Sequence, residues 1–352
     1  MERYIGIDVH LQSCTLSVMG PSGKRITRSV VETRGQALIQ AVKTVQGRKY
    51  ICIEEGTQSE WLYGLLEPHV EDIAVIVPPA TRGNKSDARD ADSLAETARL
   101  GRADKRVFKA PRAFAGLRDA ARAYQMIGKD VVRAKNRLKS IFRSRGIAAT
   151  SEVYQEGKRA PWLGQLPQSR RRLAEILAAE LDTLMPLRNQ AEQWLDEEAK
   201  LHSAVRRLTT VPGLGDVRAA LVAAIVVTPD RFRTSRQFWS YCGLAVVTRS
   251  SADWRRHNRK WVRTEMAQSR GLNRDRQPVL KSIFKGAATT VISRMSTHPL
   301  HHDYQRMLAA GTKPNLAKLT LARRIAASCL AIWKKQEDYD PSKQRARPTP
   351  AA

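Results

Sequence analysis

The run YIGIDVH, residues 4–10, places an aspartate inside an apolar stretch of β character. A carboxylate in such a strand is expensive to bury unless it is paired or holds a cation. Asp8 is therefore either a satisfied core aspartate or the seed of a site. Cys14–Met19 and Arg25–Val31 read as two further short strands, the turn between them carried by GPSGK. Gln36–Val45 has helical periodicity, and Tyr50–Glu55 (YICIEE) is another β-rich run. A helical stretch follows at Ser59–Leu66, then a buried strand at Ile73–Val77, stopped by Pro78 and Pro79.

Three strands, helix, strand, helix, strand is the order of an α/β ribonuclease-H/RuvC-like domain. Actin-like ATPases open the same way, so fold alone leaves the chemistry open. IGIDVH lacks the glycine-threonine turn that follows the aspartate in those ATPases.

More acids follow in order. Glu54 ends the YICIEE strand, with Glu55 competing for the inward position. KSDARDADSLAE, residues 85–96, puts Asp87 and Asp90 at i and i+3, on one face of a helix. Asp92 and Glu96 leave that face and read as solvated helix-surface charges. In a ribonuclease-H-like arrangement Asp8, Glu54, Asp87 and Asp90 converge, and such a set suits one or two Mg²⁺ ions, which take hard oxygen ligands. His10 reads as a packing or phosphate contact.

The acid cluster is conspicuous because the chain is so basic. Sixty-one Lys+Arg stand against 34 Asp+Glu over 352 residues, a formal net charge of +27. That balance points to a polyanionic partner, and its spread over several segments favours nucleic acid over a membrane surface. No apolar run approaches the roughly 20 residues of a membrane span. With no signal-peptide pattern, the expectation is a cytoplasmic protein. Cys14, Cys52, Cys242 and Cys329 are far apart and read as small core residues.

From Phe114 to about Gly146 the pattern is helical, with Arg133, Lys135, Arg137, Lys139 and Arg143 among its basic positions. After a loop or short irregular segment, a second long helix runs from about Arg171 to Leu208. In it Leu187, Trp194, Leu201 and Leu208 recur every seven residues, with Leu184, Ala191 and Val205 three positions earlier, a coiled-coil-like seam open to either a dimer or an internal hairpin. The third region starts at VPGLGDVRAALVAAIV, where Gly213 and Gly215 fit a helix-hairpin-helix turn able to bind a phosphate through backbone N–H groups. Residues 246–276 hold nine Lys/Arg, Arg249, Arg255, Arg256, Arg259 and Lys260 among them, with Trp254 and Trp261 interleaved. This segment suits nucleic-acid phosphates and bases. The organisation expected is 1–112 RuvC-like, 113–208 helical and coiled-coil-like, 209–337 mainly α, and 338–352 a disordered tail.

With IGIDVH, ICIEEGT and KSDARDADSLAE in this order, and VPGLGDVRAALVAAIV and RFRTSRQFWSYCGL downstream, the chain resembles insertion-sequence-110 transposases. The resemblance implies that Asp8, Glu54, Asp87 and Asp90 are that family's four catalytic, metal-binding acids. It also implies a nucleophilic serine a few residues past Gly243–Leu244. Counting forward lands on Ser251, with Ser250 immediately before it; Ala252 stands where the family usually has glycine. The implied activity is transposition and recombination of donor and target DNA, guided by a structured bridge RNA. The implied chemistry runs through a covalent phosphoserine with Mg²⁺, in dimers that assemble into tetramers. The alternatives are a RuvC-type metal-dependent nuclease without a serine intermediate and a non-catalytic nucleic-acid-binding protein.

Overall fold

The computed structural model describes residues 1–77, 86–103, 106–249, 254–257, 259–263 and 268–343. The chain forms two compact units, Met1–Ala113 and Phe114–Ala352. The first carries 17 Lys+Arg and 14 Asp+Glu and the second 44 and 20, so nearly all the excess positive charge lies in the second.

The first unit is the expected α/β domain. Strands β1 (Glu2–Val9), β2 (Ser13–Met19), β3 (Arg25–Glu32), β4 (Arg48–Glu54) and β5 (Asp72–Ile76) form one sheet in the order β3-β2-β1-β4-β5. The β1–β2 and β2–β3 pairs are antiparallel, while β1–β4 and β4–β5 are parallel. Side chains alternate across the strands. Ile5, Ile7, Ile51, Ile53, Ile73 and Val75 pack with Leu38 and Val42 of α1 (Gly35–Thr44) and with Leu62 and Leu66 of α2 (Ser59–Leu66). Cys52, Ala74 and Ile76 face the other way, against Leu94 of α3 (Asp87–Arg99).

Gly6 is what lets α3 lie so low on that second face. A β-carbon there would stand 2.0 Å from the Ala91 carbonyl oxygen and 2.3 Å from the Ala95 nitrogen. Asp92 then clamps the helix sideways. It accepts from Ser17 on β2 at 2.5 Å and from Arg25 on β3 at 3.0 Å, and pairs with Arg28. Burial opposes its charge, but the Ser17 hydrogen bond and the two guanidiniums prevail and hold its carboxyl below the ordinary range. Asp92 is thus a structural tie, and not the solvated charge expected of it. Its partners come from strands more than 60 residues away.

The second unit begins with a helical hairpin. Helices α4 (Ala115–Arg143) and α6 (Gln168–Lys200) pack along their length, capped at the tip by the short α5 (Ala160–Leu163). Val131, Ala134, Leu138 and Phe142 of α4 meet Ala174, Ala178 and Leu181 of α6 there. Arg159 donates to both carboxylate oxygens of Asp182 at 2.6 Å and ties the tip to α6. The stripe buried on α6 is Ala174, Ala178, Leu181, Ala191, Leu195 and Ala199. Of the expected seam, Ala191 and Val205 are buried and Leu184 packs against the hairpin core, but most of the other line turns outward. Leu187, Trp194 and Leu201 are exposed, the last at 77 %, whereas Leu208 is fully buried. Within α6 the buried stripe passes through Ala191, Leu195 and Ala199 and leaves Leu187 and Trp194 beside it, and Leu208 belongs to a separate helix, α7 (Ser203–Thr209), which follows the extended His202.

The hairpin's base shares one core with the helices that follow. Leu117, Ala120, Leu195 and Ala199 pack with residues of α7, α8 (Gly215–Val226), α9 (Ser235–Tyr241), α10 (Pro278–Arg294), α11 (Pro299–Ala309) and α12 (Pro314–Lys335). Between α9 and α10 the chain forms two small ribbons. In them β6 (Val246–Arg249) pairs with β9 (Gln268–Leu272), and β7 (Trp254–His257) with β8 (Lys260–Arg263). The segment expected to be a tail from 338 stays tied down as far as Lys343. Tyr339 donates its N–H to Thr210 at 2.9 Å, and its ring stacks on His298. All four cysteines are buried and unbridged.

Candidate active site

The first strand delivers Asp8 at its C-terminal end, on the face that Gly6 opens to α3. The register pairing Ile7 with Ile53 brings Glu54 to the level of Asp8 on the neighbouring strand. Glu54 alternates with Ile53, which lies in the α1–α2 core, so it shares the α3 side with Cys52. Glu55 is removed from the competition. Its carboxylate accepts from Lys109 at 2.6 Å, and the Ser59 hydroxyl donates to it at 3.2 Å. The Lys109 side chain is 7 % exposed and also donates to Ser59.

Helix α3 supplies the rest. Ser86 caps it, its hydroxyl accepting from the Arg89 N–H, and this fixes Asp87 and Asp90 in the first turn. Asp8, His10 and Asp87 each offer a ligand atom, and the three atoms lie within 4.8 Å of one another. His10 Nε2 is 3.1 Å from Asp8 Oδ2 and 3.4 Å from Asp87 Oδ1. Burial pushes the Asp8 carboxyl above the ordinary range, the imidazole of His10 works against that, and Asp87 and Asp90 push it further up. Glu54 and Asp90 line this side of the sheet but stand outside the trio.

Carboxylates gathered at one strand end, with one of them destabilised by burial and by its acidic neighbours, form a donor set that fits a divalent cation. Asp8 and Asp87 would hold it, with Glu54 and Asp90 alongside. His10, read from the sequence as a packing or phosphate contact, instead faces two of the acids from just beyond the end of β1, two residues after Asp8.

In the second unit the basic positions separate by partner. Arg133 pairs with Asp130 and Arg137 with Glu180, while the Lys135 ammonium lies over the Tyr154 ring at 5.4 Å. Among the described residues Lys139, Arg143 and Arg145 make no ion pair, which leaves their charge available to a polyanion. Gly213 has a packing duty: at φ 78° it passes the α10 backbone, where a β-carbon would stand 2.5 Å from the Ala287 carbonyl oxygen. Gly215, at φ 61°, opens α8 toward free space, although Asp216 adds a negative charge to that first turn.

Ser250 and Ser251 lie outside the described residues, between β6 and β7. Of the ribbon's basic residues, Arg256 and Lys260 are exposed, and Arg256 stands opposite Trp261 in the β7–β8 register. Arg259 takes φ 61° in the turn between these strands, and Arg255 pairs with Val262. Arg249 ends β6 opposite Gln268. The ribbon's root is firmly held. Arg323 of α12 donates to the Leu244 carbonyl at 2.7 Å. Asn273 donates its N–H to Ala245 at 3.0 Å and its side-chain amide to the Ser240 carbonyl at 3.1 Å. These anchors had no sequence signature. Near residue 300, His298 caps α11 by accepting from the Leu300 N–H.

The sheet order and the acids on β1, β4 and the first turn of α3 define a ribonuclease-H-like domain of the acid-cluster class. Residues 5–145 match a family model described as a transposase, that of the IS110 DEDD domain. Residues 205–305 match the model of the transposase IS116/IS110/IS902 family. Together the two regions cover more than half of the sequence, and the chain belongs to the IS110 family of transposases. A probable family 20 transposase of Pseudomonas aeruginosa is 29 % identical over 179 residues, 48 % of this chain and 51 % of that protein. The chain thus spans about half the length of the curated relative it matches. Among the described residues no helix is long and apolar enough to cross a membrane.

Proposed function

We propose that this protein cuts and rejoins DNA strands at the ends of an insertion sequence, guided by a structured bridge RNA that pairs with donor and target DNA. The carrying observation is the meeting of Asp8, Asp87 and His10 beside Glu54, in a chain whose two regions both match transposase models.

In this reading Ser251 is the nucleophile. Its Oγ forms a bond to a DNA phosphorus and gives up its proton, while the bond from that phosphorus to a deoxyribose oxygen breaks and the leaving oxygen is protonated. A hydroxyl of the partner strand then attacks the phosphoserine and frees the serine. A serine hydroxyl is a weak nucleophile at neutral pH, so it requires activation. Asp8, Glu54, Asp87 and Asp90 hold the divalent ion, Mg²⁺ in this reading. When bound, that ion offsets the negative charge developing on the phosphate oxygens. Lys139, Arg143, Arg256, Arg259 and Lys260 position phosphates, and Gly215 offers backbone N–H groups to one more. Dimers that pair into tetramers bring two DNA sites together.

The test incubates the protein with nicked suicide DNA, Mg²⁺ and the non-coding RNA transcribed beside its gene. A denaturant-resistant protein–DNA adduct is expected, absent in Ser251→Ala and in Asp8→Asn. Adduct lost only in Ser250→Ala moves the nucleophile by one residue. Cleavage without any adduct makes the protein a metal-dependent nuclease instead.

A further inference from the structure

We infer that His10 is itself a metal ligand, so that the ion is held by an Asp8–His10–Asp87 trio which favours transition ions such as Mn²⁺ over Mg²⁺. The inference rests on the proposed metal-dependent chemistry and specifies its centre.

Distances come first. Neighbouring ligands around an octahedral ion with bonds of 2.0–2.1 Å stand about 3.0 Å apart. His10 Nε2 lies 3.1 Å from one Asp8 oxygen and 3.4 Å from one Asp87 oxygen, close to that edge. The same imidazole nitrogen therefore faces both carboxylates. One N–H directed at two acids can satisfy neither well, whereas a cation set among the three atoms is shared by all of them.

The histidine is also prepared for this position. Its N–H donates to the Ser13 carbonyl at 3.0 Å, and its own carbonyl accepts from the Thr33 hydroxyl at 2.8 Å. Both backbone groups are thereby fixed in the turn leaving β1. Asp8 is anchored by the strand and Asp87 by the Ser86 cap, so the three donors come from three separately held pieces of backbone. Ligands held in place lose little freedom on binding.

Chemistry sets the preference. Mg²⁺ takes oxygen ligands and gives up water reluctantly, while imidazole suits the borderline first-row ions. Adding one nitrogen to two carboxylates therefore raises affinity for Mn²⁺ or Co²⁺ more than for Mg²⁺.

The experiment uses the metal-free full-length protein and Mn²⁺ alone, followed by pulsed electron paramagnetic resonance and competition with Mg²⁺. The wild type should show hyperfine coupling to a coordinated nitrogen. His10→Ala and His10→Gln should both lose that coupling and weaken Mn²⁺ binding at least tenfold, while Mg²⁺ affinity changes less than threefold. Retained circular dichroism would confirm that both variants fold. If Mn²⁺ binds, Asp8→Asn abolishes binding, and yet no nitrogen coupling is seen in the wild type, the inference fails while the acid site stands. If Mn²⁺ and Mg²⁺ both fail to bind, the metal-dependent reading falls with it.

Discussion

Gly6 on β1 and Ala91 on α3 meet backbone to backbone, at a separation that leaves no room for a side chain between them. Everything on the acid face depends on that approach, because Asp87 and Asp90 ride on the helix and Asp8 on the strand. Gly6→Ala should force the helix outward, lower stability by about 1–3 kcal/mol and weaken Mn²⁺ binding. Gly64, inside α2 with nothing within 4 Å of its missing β-carbon, is the control. Gly64→Ala should stabilise by up to about 1 kcal/mol, as thermal melts would reveal.

Asp92 gives a pH signature. Its carboxyl titrates below the ordinary range when folded, so it binds fewer protons than in the unfolded chain. Its stabilisation is complete above about pH 4, the unfolded value, and is lost as pH falls through the lower folded value. Asp92→Asn should cost on the order of 1.5 kcal/mol at neutral pH. Urea melts across pH should show the gap to wild type closing in acid. A constant gap would mean that the Ser17 and Arg contacts do not depend on charge.

Among the described residues Lys139, Arg143 and Arg145 have no acidic partner, whereas Arg133 and Arg137 have one each. Changing the first three to alanine should flatten the log–log salt dependence of nucleic-acid binding by about 2–3, at 0.7–0.9 per phosphate contact. Changing the paired two should move it less. Filter binding at several salt concentrations separates these outcomes.

Leu187 and Trp194 of α6 and Leu201 at its C-terminal cap are exposed. If that line joins protomers, Leu187→Glu with Leu201→Glu should leave helix content unchanged and reduce the mass seen by light scattering. An unchanged assembly would place the contact elsewhere.

Arg323 holds the Leu244 carbonyl just before β6 begins, and its Nη2 is buried with no hydrogen-bond partner among the described residues. Arg323→Ala should speed hydrogen exchange in β6 and β9, with the α4–α6 hairpin unaffected. Adduct formation should fall with it, and Arg323→Lys should recover part of each.

The α/β domain could be read almost element by element from the sequence, because alternation and turn residues are local signals and five short strands each carried their own. Asp8, Glu54, Asp87 and Asp90 were also legible, as acids in strands and at a helix start. What escaped depended on distant partners. Asp92 seems a surface charge until β2 and β3 fold beside it, and Gly6 is unremarkable until a helix some 85 residues later descends on it. The seven-residue count misled for a related reason: which face of α6 is covered depends on its partners, so Leu187 and Trp194 fall beside the buried stripe, while Leu208 belongs to the next helix. His10 needed the return of α3 to acquire its second acid.

The division of charge has an operational consequence. Met1–Ala113 holds the acids yet has a net charge of only +3, against +24 for the remainder. A fragment consisting of the first unit would keep its carboxylates but have little pull toward a polyanion. Cut away from the second unit, the acid cluster would lose most of the electrostatic attraction that draws a polyanion to the intact chain. Attraction for a polyanion belongs to one half of the chain and the acid cluster to the other.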